Sequence, residues 1–368
     1  MKVKRTGGVA GLIVVGTVAL AACGSDNNAG TTSSGTSGGT SASPAAQVAC
    51  ASGALTGAGS SFQAPIQQQW VKDYSAKCAG TQINYQSVGS GAGVQQFTSG
   101  TVDFAGSDVA LKPDEQTKAD ARCAAGPAVH IPITAGGVAL EYNLAGVKDL
   151  QLSPATVAGI FAGTIKTWDA PEIRADNPNA KLPATPVTAF HRSDGSGTTQ
   201  VVSEFLDSQV KGAWTLGSGK EINWPGGQGA KGSEGVTAGV KQTDGGIAYS
   251  EVSFAKANSL SVAKVRNASG QYAELNAANV SKALESFTVT GSATDVKGTV
   301  NYGVSSGYPI STVTYVIGCG KGGKNTPLLK SYLTYAVTGG QAVADSLGFA
   351  PLPTAIADKN KAAITAIG

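Results

Sequence analysis

From residue 50 onward, short apolar runs alternate with helical periodicities, the pattern of an α/β architecture. Phe62, Ile66, Trp70 and Tyr74 recur every four residues and define one helix face after a turn predicted at Gly57-Ala58-Gly59-Ser60. Ile83 and Tyr85 alternate as in a strand. Gly89-Ser90-Gly91-Ala92-Gly93 then leads into a helix with Val94 and Phe97, and residues 102–107 read as a strand ending at Asp108. Residues 129–142 form a longer extended apolar stretch, and Ser153-Pro154 supplies an N-cap and a first helical position for Val157, Ile160 and Phe161. A strand over 187–190 runs into Arg192-Ser193-Asp194-Gly195-Ser196-Gly197-Thr198 and a helix with Val202, Phe205 and Leu206 inward. Residues 226–235 are Gly-rich and read as a loop; 246–249 and 312–317 read as strands and 326–337 as a helix. Three times, a strand enters a Gly/Ser turn that opens a helix.

The first residues follow other rules. Residues 1–5 carry Lys2, Lys4 and Arg5, and residues 7–22 are small and apolar, too short a run for the ~20 residues of a membrane span. They read as a signal peptide over 1–22. Its end, Leu20-Ala21-Ala22-Cys23, resembles a bacterial lipobox, in which the Cys23 thiol receives a diacylglycerol and anchors the chain to a membrane. Residues 24–46 are mostly Gly, Ser, Thr, Ala and Asn, so 23–47 read as the lipidated cysteine and a flexible tether, reaching roughly 25–30 Å. The expected location is the outer face of the cytoplasmic membrane. In that oxidising space Cys50, Cys78, Cys123 and Cys319 remain, with three possible pairings.

Composition narrows the function. A chain of 368 residues has a prior of about two domains, and its 50 glycines are near twice the ~7% of average proteins. Three of its 27 basic residues lie in the first 22 positions, where no acid does, so beyond them 24 basic side chains face 24 acidic ones. That balance gives no overall basic excess for nucleic acid. Two histidines, His130 and His191, and singly spaced cysteines offer no zinc spacing, and no metal or other cofactor is expected.

The three glycine turns carry the candidate chemistry. A helix N-terminus presents unpaired N–H groups and partial positive charge, and glycine lets an anion approach that backbone. Each turn adds hydroxyls: Ser60 and Ser61, Ser90, then Ser196 and Thr198. Hydroxyls and amides together suit a tetrahedral oxyanion. No Lys follows a Walker spacing, which disfavours nucleotide hydrolysis. Arg192 supplies a planar, permanently charged fork for an oxyanion. A Ser nucleophile is the competing reading, but G-x-S-x-G is absent around Ser196, and both histidines read as core or strand-end residues. Trp168, Trp214 and Trp224 read as packing residues.

These segments resemble a family, the phosphate-binding lipoproteins of the bacterial phosphate ABC transporter known as PstS. The likeness is carried by Leu55-Thr56-Gly57-Ala58-Gly59-Ser60-Ser61-Phe62, Val88-Gly89-Ser90-Gly91-Ala92-Gly93, Val102-Asp103-Phe104-Ala105-Gly106-Ser107-Asp108, Gly163-Thr164-Ile165-Lys166-Thr167-Trp168-Asp169, Arg192-Ser193-Asp194-Gly195-Ser196-Gly197-Thr198-Thr199 and Tyr308-Pro309-Ile310. The actinobacterial style, with four extra cysteines and a long tether, looks most similar. The resemblance implies a two-lobed periplasmic-binding-protein fold of type II, with lobe 1 over 48–139 and 306–368, lobe 2 over 140–305, and inorganic phosphate in the cleft between them. It implies delivery to the transmembrane permease subunits and no catalysis. Ser61 and the Phe62 backbone match the first-turn contacts, with Ser60 beside them; Ser90 matches the second, and Asp108 the buried acceptor. Arg192, Ser196, Gly197 and Thr198 match the contacts from lobe 2, with Asp194 holding Arg192. Two departures stand out: Ser61 where many relatives have Thr, and Ala105-Gly106 in place of Gly-Ala. The alternatives are a secreted phosphatase or Ser hydrolase with the same cradle, and a receptor for another oxyanion. Cys50 starts the first strand and Cys78 ends the following helix, which favours Cys50–Cys78 and Cys123–Cys319.

Overall fold

The computed structural model describes residues 49–123 and 125–368; the signal-peptide and lipidation readings at 1–22 and Cys23, and the tether over 23–47, lie outside the described residues. The chain opens with β1 (Gly53–Gly59), α1 (Ala64–Lys77), β2 (Thr81–Ser87), α2 (Ser90–Thr98), β3 (Phe104–Ser107) and α3 (Pro113–Arg122). A long strand, β4 (Ala128–Asn143), leads to β5 (Gln151–Leu152), α4 (Pro154–Phe161), α5 (Pro171–Asp176), β6 (Thr188–Arg192), α6 (Gly197–Gln209), β7 (Gln228–Ala230) and α7 (Gly232–Gln242). There follow β8 (Gly246–Glu251), α8 (Val252–Ala257), β9 (Ser261–Val262), β10 (Lys264–Arg266), β11 (Tyr272–Ala273), α9 (Ala277–Leu284), β12 (Thr288–Val289) and β13 (Gly298–Thr299). The chain closes with β14 (Ser311–Cys319), α10 (Thr326–Val337) and α11 (Thr354–Ala366).

The main sheet runs β2-β1-β3-β14-β4-β8-β6-β7, with β9 also on β4. Its two flanks are parallel, β1 with β2 and β3 on one side and β6 with β7 and β8 on the other. Between them β14 and β4 run antiparallel. β4 joins the flanks: its residues 128–137 pair with β14 and its residues 138–143 with β8. Both β14 and nearly all of β4 are buried, their mainly apolar runs lying at the sheet's centre.

The turn predicted at Gly57-Ala58-Gly59-Ser60 is corrected: Gly57–Gly59 belong to β1. Close packing explains the glycines. A Cβ at Gly57 would come within 2.1 Å of the Phe104 ring, and one at Gly59, whose φ is +152°, within 2.1 Å of the Gly106 carbonyl oxygen. Gly106 is itself pressed by Tyr85 Oη and Gln63 Oε1, at 2.3 and 2.7 Å from a built Cβ, which gives the Ala105-Gly106 order a steric reason. The Gly-rich loop expected over 226–235 also gives way, to β7 and the first turn of α7.

The helix-face reading holds for Ile66, Trp70 and Tyr74, while Phe62 lies in the turn two residues before α1. Phe62, Ile66, Trp70 and Tyr74 are all buried, with Trp70 Nε1 donating to the Gly340 carbonyl at 2.6 Å and Tyr74 edge-on to Tyr332. Ser153 caps α4 through Thr156 N–H, as its place before Pro154 predicts. Cys50 is bonded to Cys78 and Cys123 to Cys319, the favoured pairing. The first ties the approach to β1 to the end of α1; the second ties the end of α3 to that of β14 across 196 residues.

Candidate functional site

Asp108 directly follows β3 and is only 1% exposed. Its Oδ1 accepts from Ser60 Oγ at 2.5 Å and from Thr314 Oγ1 at 2.8 Å, and its Oδ2 accepts from Thr198 Oγ1 at 3.3 Å. Ser60 follows β1, Thr314 lies in β14 and Thr198 in the first turn of α6, so both flanks of the sheet meet at this carboxylate. Ser90 Oγ takes the Asp108 N–H at 3.4 Å. Gly197 packs so closely that a Cβ would lie 2.5 Å from Ser90 Oγ and 2.8 Å from Asp108 Oδ2. Burial raises the Asp108 pKa above the ordinary carboxylate value, opposed by the hydroxyls of Ser60 and Thr314, the Arg192 charge and Thr198.

Arg192 ends β6 with its side chain 1% exposed. Nε and Nη2 donate to Asp194 Oδ1 and Oδ2 at 2.7 and 2.5 Å, a bidentate fork, and Asp194 Oδ1 also accepts from Gly232 N–H. Burial works against the Asp194 carboxylate, but the bonds and charge of Arg192 outweigh it and hold its pKa below the usual value. Arg192 Nη1 has no hydrogen-bond partner among the described residues. Gly89, at φ +89°, is required beside this pair, since a Cβ there would sit 2.3 Å from Asp194 Oδ2.

The N–H groups of Ser61, Phe62, Ser90, Gly197 and Thr198 likewise have no partner among the described residues. Three helix starts therefore leave free donors near Asp108. Three predicted residues contribute differently from their hydroxyl or ring chemistry. Ser196 Oγ is engaged as the α6 cap, accepting from Thr199 N–H at 3.1 Å. The Phe62 ring is buried edge-on against Phe349, leaving its N–H for the site. Ser61 Oγ lies 2.8 Å from Ser233 Oγ and accepts from Ser233 N–H at 3.1 Å.

Ser233 and Thr314 are the participants that sequence reading missed. Ser233 follows Gly232 at the start of α7, a fourth Gly/Ser helix opening inside the stretch read as a loop. Thr312 and Thr314 alternate within the apolar run of β14, so two buried hydroxyls point to polar work at the strand's centre. The histidines stand apart. His130 Nε2 accepts from Leu111 N–H at 3.0 Å, which leaves Nδ1 protonated toward Asp295 Oδ1 at 2.7 Å. His191 stacks on Trp224 with ring centroids 5.0 Å apart. Among the described residues no Ser–His hydrogen bond forms, and no group of three His, Cys, Asp or Glu side chains is placed to hold a metal.

The PBP superfamily domain matches residues 44–339. The chain is 36% identical over 375 residues to phosphate-binding protein PstS 3 of Mycobacterium leprae, covering the whole of both, and 35% identical over 313 residues to phosphate-binding protein PstS of Xylella fastidiosa, covering 81% of each. Among solved structures it is similar to a high-affinity periplasmic phosphate-binding protein, PfluDING, bound with phosphate (TM-score 0.68, 24% identity, 84% of this chain and 93% of that one). It is also similar to the phosphate-binding protein of Stenotrophomonas maltophilia (TM-score 0.66, 23% identity, 83% and 92%). These likenesses bear out the type II periplasmic-binding-protein fold. With a family match over most of its length and a relative more than a third identical from end to end, the chain belongs to the PstS phosphate-binding proteins of the PBP superfamily.

Proposed function

We propose that this protein is an extracytoplasmic receptor that binds inorganic phosphate between two lobes and delivers it to the permease of a phosphate ABC transporter. One observation carries the reading: a buried carboxylate, an acceptor when ionised, lies among free N–H groups from three helix starts and beside a buried guanidinium with a free edge. Ser61, Phe62, Ser90, Gly197, Thr198 and Arg192 donate to the phosphate oxygens, Ser60 and Ser196 shape the turns that present those donors, and Asp194 fixes Arg192. Asp108 accepts a hydrogen bond from the O–H that phosphate retains near neutral pH and that sulfate lacks. Lobe 1 takes 48–139 and 306–368, lobe 2 takes 140–305, and β4 and the return ahead of β14 are the crossings about which they close.

Attachment through Cys23 follows from the lipobox-like segment, and the tether keeps the receptor at the outer face of the membrane near its permease. Among the described residues no helix is long and apolar enough to cross a membrane. The protein acts as a receptor without turnover, and Ser196 is a cap rather than a nucleophile. Titrating phosphate-stripped protein with phosphate and with sulfate tests this directly. Tight phosphate binding with sulfate excluded is expected, with no hydrolysis of a chromogenic phosphate ester. Comparable sulfate affinity overturns the assignment of the ligand, and ester turnover overturns the receptor reading. Radioactive glycerol incorporation that persists in Cys23→Ala overturns the anchor.

A further inference from the structure

Lys220 lies in the connection after α6, and its ammonium meets Glu115 of α3 at 2.5 Å, joining the two flanks of the sheet at the edge of the site. The side chains are 9% and 20% exposed, so the pair is largely withdrawn from water. Each partner is also bonded to something else. Glu115 Oε2 accepts the Lys112 N–H at 2.9 Å and caps α3, while the Lys220 carbonyl accepts the Ser196 N–H at 2.9 Å. Ser196 opens the turn that presents Gly197 and Thr198. A single residue thus holds the anion-binding turn through its backbone and the opposite flank through its side chain. Beside it, Gly91 N–H donates to the Gly195 carbonyl across the same divide at 2.9 Å, and a Cβ at Gly91 would come within 3.1 Å of Gly195 Cα.

We infer that Lys220 and Glu115 are positioning residues that hold the two lobes together around the bound anion and so set how long it stays; this rests on the receptor reading above. The contact spans the two flanks, so it contributes to the closed form and is lost when the lobes part. A ligand equilibrium shifts only through such differences between states. Removing one partner leaves the other charge desolvated without its mate, which disfavours closure more than the pair itself favours it. Arrival of phosphate occurs before the bridge forms, so the association rate is spared, as in most interface changes.

Stopped-flow phosphate binding and release by the full chain tests this. Lys220→Met and Glu115→Gln, the latter keeping an oxygen for the Lys112 N–H, are each expected to speed release about tenfold with association changed less than twofold. The double variant Lys220→Met with Glu115→Gln leaves neither charge desolvated alone and is expected to release phosphate no faster than either single variant, which two independent structural losses would not do. Single variants with unchanged release, or a double variant whose losses add, overturn the inference while leaving the receptor intact. A wild-type protein that binds no phosphate overturns the receptor reading, and the inference with it.

Discussion

Asp108, fully buried, and Asp194, half-buried, are two carboxylates within the influence of one guanidinium, and their pKa values move in opposite directions. Asp194 takes both the charge and the fork of Arg192, and burial loses to that pairing. Asp108 takes neutral hydroxyls from Ser60, Thr314 and Thr198, and burial wins. Depth and kind of partner act together: the more deeply buried Asp108 has only neutral hydroxyls bonded to it, whereas the shallower Asp194 holds a charged fork. Asp194 is committed to orienting Arg192, whereas Asp108 retains an interest in any further donor brought to it. A ligand that carries a proton supplies one.

The largest effect comes from removing that interest. Asp108→Asn keeps the shape and substitutes an amide that donates as well as accepts, so an anion without a proton is no longer refused. A site built around one required hydrogen bond rejects the analogue lacking it by about 10⁴, and the variant is expected to lose most of that discrimination against sulfate. Competition of sulfate against phosphate in the two proteins measures it. An Asn variant as selective as the wild type would remove Asp108 from this role.

Arg192→Ala tests the other side of the comparison. It deletes a donor that serves any oxyanion and strands Asp194, so phosphate affinity is expected to fall by roughly 10²–10³ while the sulfate-to-phosphate ratio stays nearly fixed. Asp194→Asn leaves the guanidinium in place but loosens its fork, and about a tenfold loss is expected. Calorimetric titration of both variants ranks the two. If Asp194→Asn costs as much as Arg192→Ala, Asp194 does more than orient its neighbour.

How much of this was legible in the sequence depends on the range of the interaction concerned. The Arg192–Asp194 fork joins residues two apart, and the caps at Ser153 and Ser196 reach three residues ahead, so local spacing revealed the elements that carry them. Asp108 could be placed at a strand end, but its partner Thr314 is 206 residues away, and Ser61 meets Ser233 across 172. No local pattern encodes such pairings; the β4–β14 register and the meeting of the flanks bring them about. The error at Gly57–Gly59 is of the same kind. Glycine in a strand and glycine in a turn look alike in sequence, and only the approach of Phe104 and Gly106 shows which one applies. The 226–235 stretch failed because its three-residue strand was too short to show alternation.

The smallest effect is on stability, and it reads the opposed pKa shifts most directly. The raised pKa of Asp108 means that, above the ordinary carboxylate value, the folded chain keeps a proton which the unfolded chain has lost. Stability from this group is therefore present at acid pH and falls as pH rises through the window up to its raised value. Asp194 has the opposite sign: its lowered pKa stabilises the fold above the ordinary value, and that contribution disappears as pH falls through the depressed one. Thermal melts of ligand-free protein at pH values from the acid range to neutrality should separate the two substitutions. Asp108→Asn is expected to flatten a decline toward neutral pH, raising Tm relative to wild type most at the upper end. Asp194→Asn is expected to lower Tm at neutral pH and to converge on wild type in acid. Each change should amount to a few degrees in a chain of this size. If the two Tm differences run in the same direction with pH, the carboxylates are not the opposed pair that their partners make them.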